Sequence, residues 1–239
     1  SAEAGASFAR AAELADEPLE EARLRARAGQ AARAYGDSER ATAQLLRAIE
    51  LFDAAGDTHA AARVSADLAL GEFSSGRLAD AIERMELAYS VLETDDPDED
   101  FAYFLSQLAR YHYFAGNFDL CEERNERALA LAERLRLSEV LSHALNTKGL
   151  LATQQGRWET ARALIRHALE IALENDIPGA TMRGYTNLGV VETRLGNTAE
   201  AEDLTLRGVE LARRIGDREG EWFNLGNLTD YFVQTGKWD

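Results

Sequence analysis

The chain has 239 residues, of which 46% are hydrophobic, and its formal net charge at pH 7 is −16. A chain of this length and hydrophobic content can bury a core of its own. Its negative charge repels duplex nucleic acid and anionic membrane surfaces, so we expect neither as a partner.

The most regular feature of the sequence is a glycine that returns every 40 residues. It occupies positions Gly36, Gly76, Gly116, Gly156, Gly196 and Gly236. A fixed period of this kind is typical of repeat architectures. We therefore predict a single array over 1–239, with units at 1–16 (partial), 17–56, 57–96, 97–136, 137–176, 177–216 and 217–239 (partial).

Each unit is predicted to contain two amphipathic helices. In chain order, residues 1–16 form the end of one helix, complete helix pairs follow, and a last helix precedes Gly236. We name the helix before each repeated glycine helix A and the helix after it helix B, which should run for about four turns. No stretch alternates with the period of a strand, so the expected fold class is all-α.

Columns of small residues recur inside the helix pairs, with large apolar residues beside them. Small side chains let two helix backbones approach closely, and large ones fill the space around the contact. The column seven residues before the glycine is Gly29, Ala69, Ala109, Gly149, Gly189 and Thr229, and the column five residues after it is Ala41, Ala81, Cys121, Ala161 and Ala201. Cys121 is the single cysteine, so no internal disulfide can form, and we interpret it as a small packed residue.

The turns between helices are also marked in the sequence. The repeated glycine suits the left-handed residue that closes helix A. Helix B is expected to end near 20 residues after the glycine, at Asp16, Gly56, Asp96, Arg136, Asp176 and Gly216. Pro18, Pro97 and Pro178 follow three of these ends, where proline cannot continue one helix but can open the next.

These columns resemble the tetratricopeptide repeat, a helical hairpin with a Leu-Gly pair in helix A, a glycine at the turn and alanines at two points of helix B. Leu188, Gly189, Gly196 and Ala201 match that order. The common unit of the family has about 34 residues and a terminal proline that is absent here at its usual place. Both departures fit the branch with longer helices, seen in kinesin light chains, spindle-orientation adaptors and sensor arms of bacterial regulators. A HEAT-type array has a comparable period but is not expected to supply these columns.

The resemblance implies a right-handed superhelical solenoid of about five to six repeats, with helix A lining the concave side. Positions 13, 10, 6, 3 and 2 residues before the glycine share one face of helix A, which we name the helix-A face. It mixes Arg, aromatic and amide side chains, which suit a peptide, while helix B carries much of the acid. We expect a protein or peptide segment of acidic character to contact Arg63, Tyr103, Arg110, Tyr113, Phe114, His143, Asn146, Gln154, Arg183, Thr186 and Arg194.

Motifs for catalysis and metal binding were sought and not found. The four histidines do not pair with one another, Cys or acids at metal-ligand spacing, and no phosphate-binding loop or nucleophile elbow occurs. The acidic run 94–100 lacks the spacing of a calcium loop, and we interpret it as a turn whose acids favour the start of the next helix. We predict no catalytic residue, no metal and no cofactor.

We interpret the chain as a protein–protein interaction module of a larger regulatory protein. One alternative is the ligand- or peptide-sensing arm of a transcriptional regulator, and another is the non-catalytic repeat region of a multidomain cyclase, kinase or protease. Because the partial units at both ends leave apolar surface uncapped, self-association through the repeat ends is also expected. The incomplete first and last units further suggest a fragment of a longer chain. No signal peptide or transmembrane run is visible, which predicts a cytoplasmic location.

Overall fold

The computed structural model describes residues 2–93 and 96–235, and within these ranges it contains twelve helices and no strand. This confirms the all-α repeat fold predicted from the sequence. The helices are α1 (Ala2–Glu13), α2 (Pro18–Tyr35), α3 (Ser38–Ala54), α4 (Thr58–Ser74), α5 (Leu78–Leu92), α6 (Glu99–Phe114), α7 (Phe118–Leu135), α8 (Ser138–Gln154), α9 (Trp158–Glu174), α10 (Pro178–Arg194), α11 (Thr198–Ile215) and α12 (Arg218–Thr235). Even-numbered helices from α2 onward are the predicted helices A, and odd-numbered ones are the helices B.

The repeated glycine closes helix A as predicted. At Gly36, φ is 91°, and the other described glycines of this column are also left-handed. The Gly36 N–H donates to the carbonyl of Arg33 at 2.8 Å, and the Asp37 N–H donates to that of Ala32 at 2.9 Å. This pair of bonds is the Schellman motif, which satisfies carbonyls left over at the helix end. Gly236, the last member of the column, lies outside the described residues.

Most turns from helix B to helix A also contain a left-handed residue, which lies 20 residues after the repeated glycine. Gly56 and Gly216 have φ of 76° and 75°, while Arg136 and Asp176 adopt 58° and 53° without being glycine. Left-handed residues thus mark the helix ends at intervals of 20 residues over most of the chain. The chain reverses direction with the same short turn whether it leaves helix A or helix B.

The acidic turn before α6 has a different form. Helix α5 ends at Leu92 and α6 begins only at Glu99. Asp96, predicted as a helix end, does not have the positive φ of Gly56, Arg136, Asp176 and Gly216, and neither does Asp16 before α2. The carboxylate of Asp98 accepts a hydrogen bond from the Phe101 N–H at 2.9 Å, as an N-cap does, so the predicted role of these acids at the helix start is confirmed. Thr94 and Asp95 of this run lie outside the described residues.

The prolines lie where the sequence placed them. Pro18 and Pro178 stand in the first turn of α2 and α10. At that position the missing N–H has no intrahelical acceptor to lose. Pro97 lies in the turn that precedes α6.

Small residues bring each helix A close to its own helix B. A Cβ added to Gly29 would lie 2.6 Å from Leu45 Cγ, and one added to Gly149 would lie 2.4 Å from Ile165 Cγ1. All members of the column five residues after the glycine are buried, and Cys121 is 0% exposed among them. The interpretation of Cys121 as a small packed residue is therefore confirmed.

The helices form two compact units, Ser1–Leu135 with α1 to α7 and Arg136–Asp239 with α8 to α12. Inside each unit, helix A packs against its own helix B, and α2 on α4, α4 on α6, α8 on α10 and α10 on α12 bring successive helices A together. That 1–239 forms one continuous array stays a prediction.

Candidate functional site

In the first unit, two predicted contact residues from neighbouring helices A lie together. The guanidinium carbon of Arg63 on α4 is 4.2 Å from the ring centroid of Tyr103 on α6. The same guanidinium lies 3.3 Å from a carboxylate oxygen of Asp100, also on α6. Stacking on the ring fixes the plane of the guanidinium. A carboxylate from the chain itself therefore already occupies one side of this predicted anchor.

A buried carboxylate lies one turn along α4 from Arg63. Asp67 is only 7% exposed and accepts a hydrogen bond from Gln30 Nε2 on α2 at 2.7 Å. Burial raises the pKa of Asp67, although the bond from Gln30 and the nearby charges of Arg33 and Arg63 act in the opposite direction. We did not predict Asp67 as a site residue, although its place four residues after Arg63 puts both on one face.

The surroundings of Asp100 act on its pKa in both directions. Burial raises its pKa, Arg63 opposes this effect, and the like charges of Asp98, Glu99 and Asp57 raise the pKa further. Like-charged neighbours disfavour the ionised carboxylate.

Five aromatic side chains gather at the ends of α4 and α6 and the start of α7, and we name them the aromatic cluster: Phe73, Tyr111, Tyr113, Phe114 and Phe118. Their neighbouring ring centroids lie 4.8 to 5.9 Å apart. The guanidinium carbon of Arg110 is 5.5 Å from the ring of Phe114. The structure therefore brings together the predicted residues Arg110, Tyr113 and Phe114.

Three members of this cluster escaped the sequence analysis. Phe73 occupies the same repeat position as Tyr113, three residues before the glycine, so its column was a usable signal. Phe118 belongs to helix B, and Tyr111 is fully buried. Neither lies on the helix-A face as defined, and only the packing of the helix ends reveals their contact.

In the second unit, Arg183 on α10 reaches the preceding helix A. Its guanidinium donates to His143 Nδ1 at 2.9 Å and to Thr147 Oγ1 at 3.2 Å, both on α8. Because a guanidinium only donates, Nδ1 must accept, and the proton of neutral His143 is on Nε2. The predicted residues Arg183 and His143, which stand 40 positions apart, are thus in direct contact.

Amide and hydroxyl groups continue this contact along the same helices. Asn187 Nδ2 on α10 donates to Asn146 Oδ1 on α8 at 2.6 Å. Thr186 Oγ1 on α10 donates to Asn224 Oδ1 on α12 at 3.0 Å. Asn146 is 2% exposed, whereas Thr186 and Asn187 are half-buried. The half-buried groups face the surface, and the predicted residues His143 and Asn146 support them from below the surface.

Gln154 and Arg194, the remaining predicted residues, are exposed at the ends of α8 and α10. Arg194 follows Arg183 by 11 residues on α10. At 1.5 Å per residue they stand about 16 Å apart along the helix. The Arg194 guanidinium carbon lies 5.5 Å from the ring of Trp158. These two residues therefore lie at the end of the helix-A face, away from Arg183, His143 and Thr147.

Two exposed aromatic residues lie on α12, where Trp222 is 77% and Phe223 is 62% exposed. Self-association through this surface stays a prediction.

Within residues 2–93 and 96–235, no group of three or more His, Cys, Asp or Glu side chains is arranged to hold a metal ion. Over the same residues, no helix combines the length and the apolar character needed to cross a membrane. The predictions of a cytoplasmic location, of no cofactor and of no catalysis are left as predictions.

Paired helices with left-handed turns, glycine and alanine at the A–B contact and helices A packed on one another define a helical-repeat array. Residues 100–174 match the family model described as tetratricopeptide repeat. Over the described residues the fold is that of a tetratricopeptide-like helical-repeat array, as the resemblance of the columns predicted.

Solved structures share this fold at low sequence identity. A putative kinesin light chain from Podosopora anserina with nearly identical TPR-like repeats aligns with a TM-score of 0.54 at 16% identity, over 84% of this chain and 97% of that one. Aspartyl phosphate phosphatase F from Bacillus subtilis aligns with a TM-score of 0.56 at 13% identity, over 91% of this chain and 62% of that one. A signal transduction ATPase with a tetratricopeptide repeat sensor from Pyrococcus horikoshii aligns with a TM-score of 0.53 at 14% identity, over 92% of this chain and 34% of that one. At these identities the likeness shows the fold.

Proposed function

We propose that this chain is the protein-interaction module of a larger regulatory protein and that it binds a partner segment on the helix-A face of the second unit. The observation that carries the proposal is the set of side-chain hydrogen bonds between neighbouring helices A. Arg183 is bonded to α8, and Thr186 is bonded to α12. Groups that are already held in place lose little conformational entropy when a ligand arrives.

The chemistry of this face suits an extended polypeptide. An amide such as that of Asn187 can both donate to and accept from a peptide backbone. The guanidinium of Arg183 matches the geometry of a carboxylate. Helix B carries exposed acids, including Glu83, Glu122 and Asp203, which would repel an acidic segment from the opposite side of the helix pairs. The partner segment is therefore of acidic character.

The first unit is the weaker candidate for the same ligand. Arg63 already contacts Asp100, and Asp67 places a second carboxylate beside it. An acidic segment would have to displace one carboxylate and approach another. In the second unit, the two observed acceptors of Arg183 are the imidazole of His143 and the hydroxyl of Thr147.

The test is quantitative co-purification from the native host with tagged wild-type, Arg183→Glu and Asn187→Ala proteins. Proteins captured by the wild type are identified by mass spectrometry, and their recovery is then compared between variants. Charge reversal at Arg183 should lower recovery of the partner about tenfold, as loss of a binding hot spot does. The matched control is Arg207→Glu on α11, an arginine that is 57% exposed and lies on a helix B.

Equal recovery of every captured protein by wild type, Arg183→Glu and Asn187→Ala would contradict the proposal. Loss of recovery with Arg207→Glu as well would point to a general effect of charge instead of a site. Circular dichroism melts of each variant would establish that the fold is intact.

The runner-up proposal is the ligand-sensing arm of a regulator. What supports it is the likeness of fold to the signal transduction ATPase that has a tetratricopeptide repeat sensor, of which this chain covers 34%. A small-molecule ligand would raise the melting temperature of the isolated chain by mass action, without any protein partner. A thermal-shift screen with and without a low-molecular-weight extract of the host separates the two proposals.

A further inference from the structure

A fully buried amide on α7 has no hydrogen-bond partner among the residues that the structure describes. Asn125 is 0% exposed, and neither its Oδ1 nor its Nδ2 is bonded to any part of the described chain. Most buried side-chain amides in folded proteins have at least one partner. An amide that loses its contacts with water and gains no bond in return destabilises the folded state.

Asn125 belongs to the repeat column that lies nine residues after the glycine, at the contact between each helix B and its own helix A. Two other members of this column show where it lies, because a Cβ added to Gly29 would meet Leu45 and one added to Gly149 would meet Ile165. The same register places Asn125 at the contact between α7 and α6.

The other repeats fill this position differently. The apolar members are at most 1% exposed and are Leu45, Met85 and Ile165. Thr205 is polar, but its hydroxyl donates to the Ala201 carbonyl at 2.8 Å. Asn125 therefore differs from these four counterparts, which are either apolar or hydrogen-bonded.

The charge pattern of α7 weakens the same helix from its outer side. Its first half carries four exposed acids, Asp119, Glu122, Glu123 and Glu126. They form two pairs at a spacing of four residues, and like charges at that spacing destabilise a helix. The contact of Arg124 with Glu123 offsets part of this repulsion.

We infer that α7 separates locally from α6 at a lower free energy than the whole chain unfolds, and that the unpaired amide of Asn125 lowers this free energy. In the open form the amide is hydrated, so the cost of burying it disappears. Cys121 lies one turn before Asn125 on the same face of α7 and is 0% exposed, so the same movement exposes its thiol. The α6–α7 pair is thus a weak point built into the first unit. It shares no residue with the proposed site around Arg183, so either one can fail alone.

The experiment measures how fast the thiol of Cys121 becomes accessible in the native chain. Because Cys121 is the single cysteine, its alkylation reports this opening without interference from another thiol. The intact chain is incubated with excess iodoacetamide at neutral pH, and the alkylated fraction is followed by mass spectrometry at several low concentrations of urea. Alkylation of the wild type should be at least about tenfold faster than global unfolding allows, and it should respond weakly to urea because a local opening exposes little surface.

Substitutions at Asn125 should move the alkylation rate in both directions. Asn125→Leu keeps a similar branched shape without polar atoms, and it should slow alkylation about tenfold and raise the melting temperature by about 2–4 °C. Asn125→Asp should speed alkylation about tenfold or more at pH 7, because a buried carboxylate is less favourable than a buried amide. Asn125→Met, which copies Met85 of the same column, replaces Asn125→Leu if the latter does not fold.

Thr205→Val is the matched control. It makes the same kind of change, polar to apolar, at the equivalent position of α11, where the hydroxyl is already bonded. It should leave the alkylation rate of Cys121 within about twofold of the wild type, and it should not raise the melting temperature.

Three outcomes would overturn the inference. The first is alkylation with the rate and the urea dependence of global unfolding, which would show that α7 does not open by itself. The second is unchanged or faster alkylation in both Asn125→Leu and Asn125→Met, which would show that the closed form satisfies the amide. The third is equal slowing by Thr205→Val, which would show that the unpaired amide is not the cause.

Discussion

Asp67 shows how a single buried side chain organises its surroundings. Its carboxylate lies between α2, α4 and α6, where Gln30 donates to it and Arg33, Arg63 and Tyr103 surround it. Burial of a charge is unfavourable unless hydrogen bonds and opposite charges offset the loss of water. The arrangement fixes Arg63 in place, and it does so at the expense of a raised pKa for the carboxyl group.

The raised pKa of Asp67 predicts a pH dependence of stability. The folded state binds the proton more tightly than the unfolded state, so this group stabilises the fold below its ordinary pKa and loses that contribution as pH rises through the raised value. In urea titrations, the free energy of unfolding of the wild type should therefore increase relative to that of Asp67→Asn as the pH falls from 7 towards 4. A difference that moves the opposite way would contradict the assigned direction. Asp37→Asn, at an exposed N-cap, is the control for a carboxylate that is not buried.

At the scale of the helix, glycines of one repeat serve two unrelated needs. Gly156 has φ of 71° and no atom within 4 Å of an added Cβ, so only the backbone conformation requires it. Gly149 has helical geometry, but an added Cβ would lie 2.4 Å from Ile165 Cγ1 and 3.2 Å from the Ala161 carbonyl oxygen. The first glycine permits a turn, and the second permits a close helix contact.

Three alanine substitutions should separate these needs. Gly156→Ala should lower the free energy of unfolding by about 1 kcal/mol, because an L-residue is strained there. Gly149→Ala should lower it by about 1–3 kcal/mol through overpacking. Gly71→Ala, inside α4 with nothing near an added Cβ, should raise it by about 0.5–1 kcal/mol. Urea unfolding monitored by circular dichroism measures all three, and a destabilised Gly71→Ala would refute this assignment of roles.

Helices of adjacent repeats are also joined by an ion pair in which the carboxylate is buried and the guanidinium is partly exposed. Glu192 on α10 is 0% exposed and accepts hydrogen bonds from Arg166 on α9 and from Asn197, both at 2.7 Å. Arg166 also contacts Glu200 at 2.7 Å. The bond to Glu200, with the charges of both acids, raises the pKa of Arg166. The guanidinium thus links α9, α10 and α11.

Removal of Arg166 should leave Glu192 buried without its cation. Arg166→Ala should lower the free energy of unfolding by about 1–3 kcal/mol, less than for a fully buried pair because Arg166 is 42% exposed. The double variant Arg166→Ala, Glu192→Gln should recover part of that loss in chemical denaturation. Arg162→Ala on the same helix breaks the exposed pair with Glu159 and should change stability by no more than about 0.5 kcal/mol. No difference between the two single variants would show that Glu192 does not depend on Arg166.

At the scale of the whole molecule, acids outnumber bases 42 to 26. The net charge of −16 favours the unfolded chain through self-repulsion, and salt screens that repulsion. Raising NaCl from about 20 to about 500 mM at pH 7 should therefore increase the free energy of unfolding by about 1 kcal/mol. Near the pI of about 4.7 the same change should have little effect, which provides the control. A loss of stability with salt at pH 7 would show that ion pairs outweigh the repulsion.

The helices and turns could be predicted because their signals are local. A left-handed glycine such as Gly116 and a small residue such as Ala161 impose their geometry on the immediate backbone and on the helix pair that contains them. The turn before α6 lacks this left-handed residue at Asp96. There α5 ends early, at Leu92, and the connection to α6 is longer than the other turns. Proline and a run of acids there make a longer turn acceptable, which the 40-residue period alone did not reveal.

The candidate site could be predicted only in part. Arg63 with Tyr103 and Arg183 with His143 occupy the same repeat position in successive units, so stacking of equivalent helices was enough to bring them together. The spacing in the sequence indicates that Asp67 lies beside Arg63, but it does not indicate that Asp67 is buried. Its burial depends on three helices that are distant in sequence.

The sequence by itself determined the period, the helices, most turn positions and the face on which polar and aromatic side chains recur. These follow from backbone preferences and from side-chain volume within one helix pair. The tertiary structure decided which carboxylate neutralises Arg63, that Phe73 and Phe118 join Phe114, and that Asn187 bonds to Asn146. Such contacts depend on the rotamers and the water exclusion that arise only when separate helices are packed together.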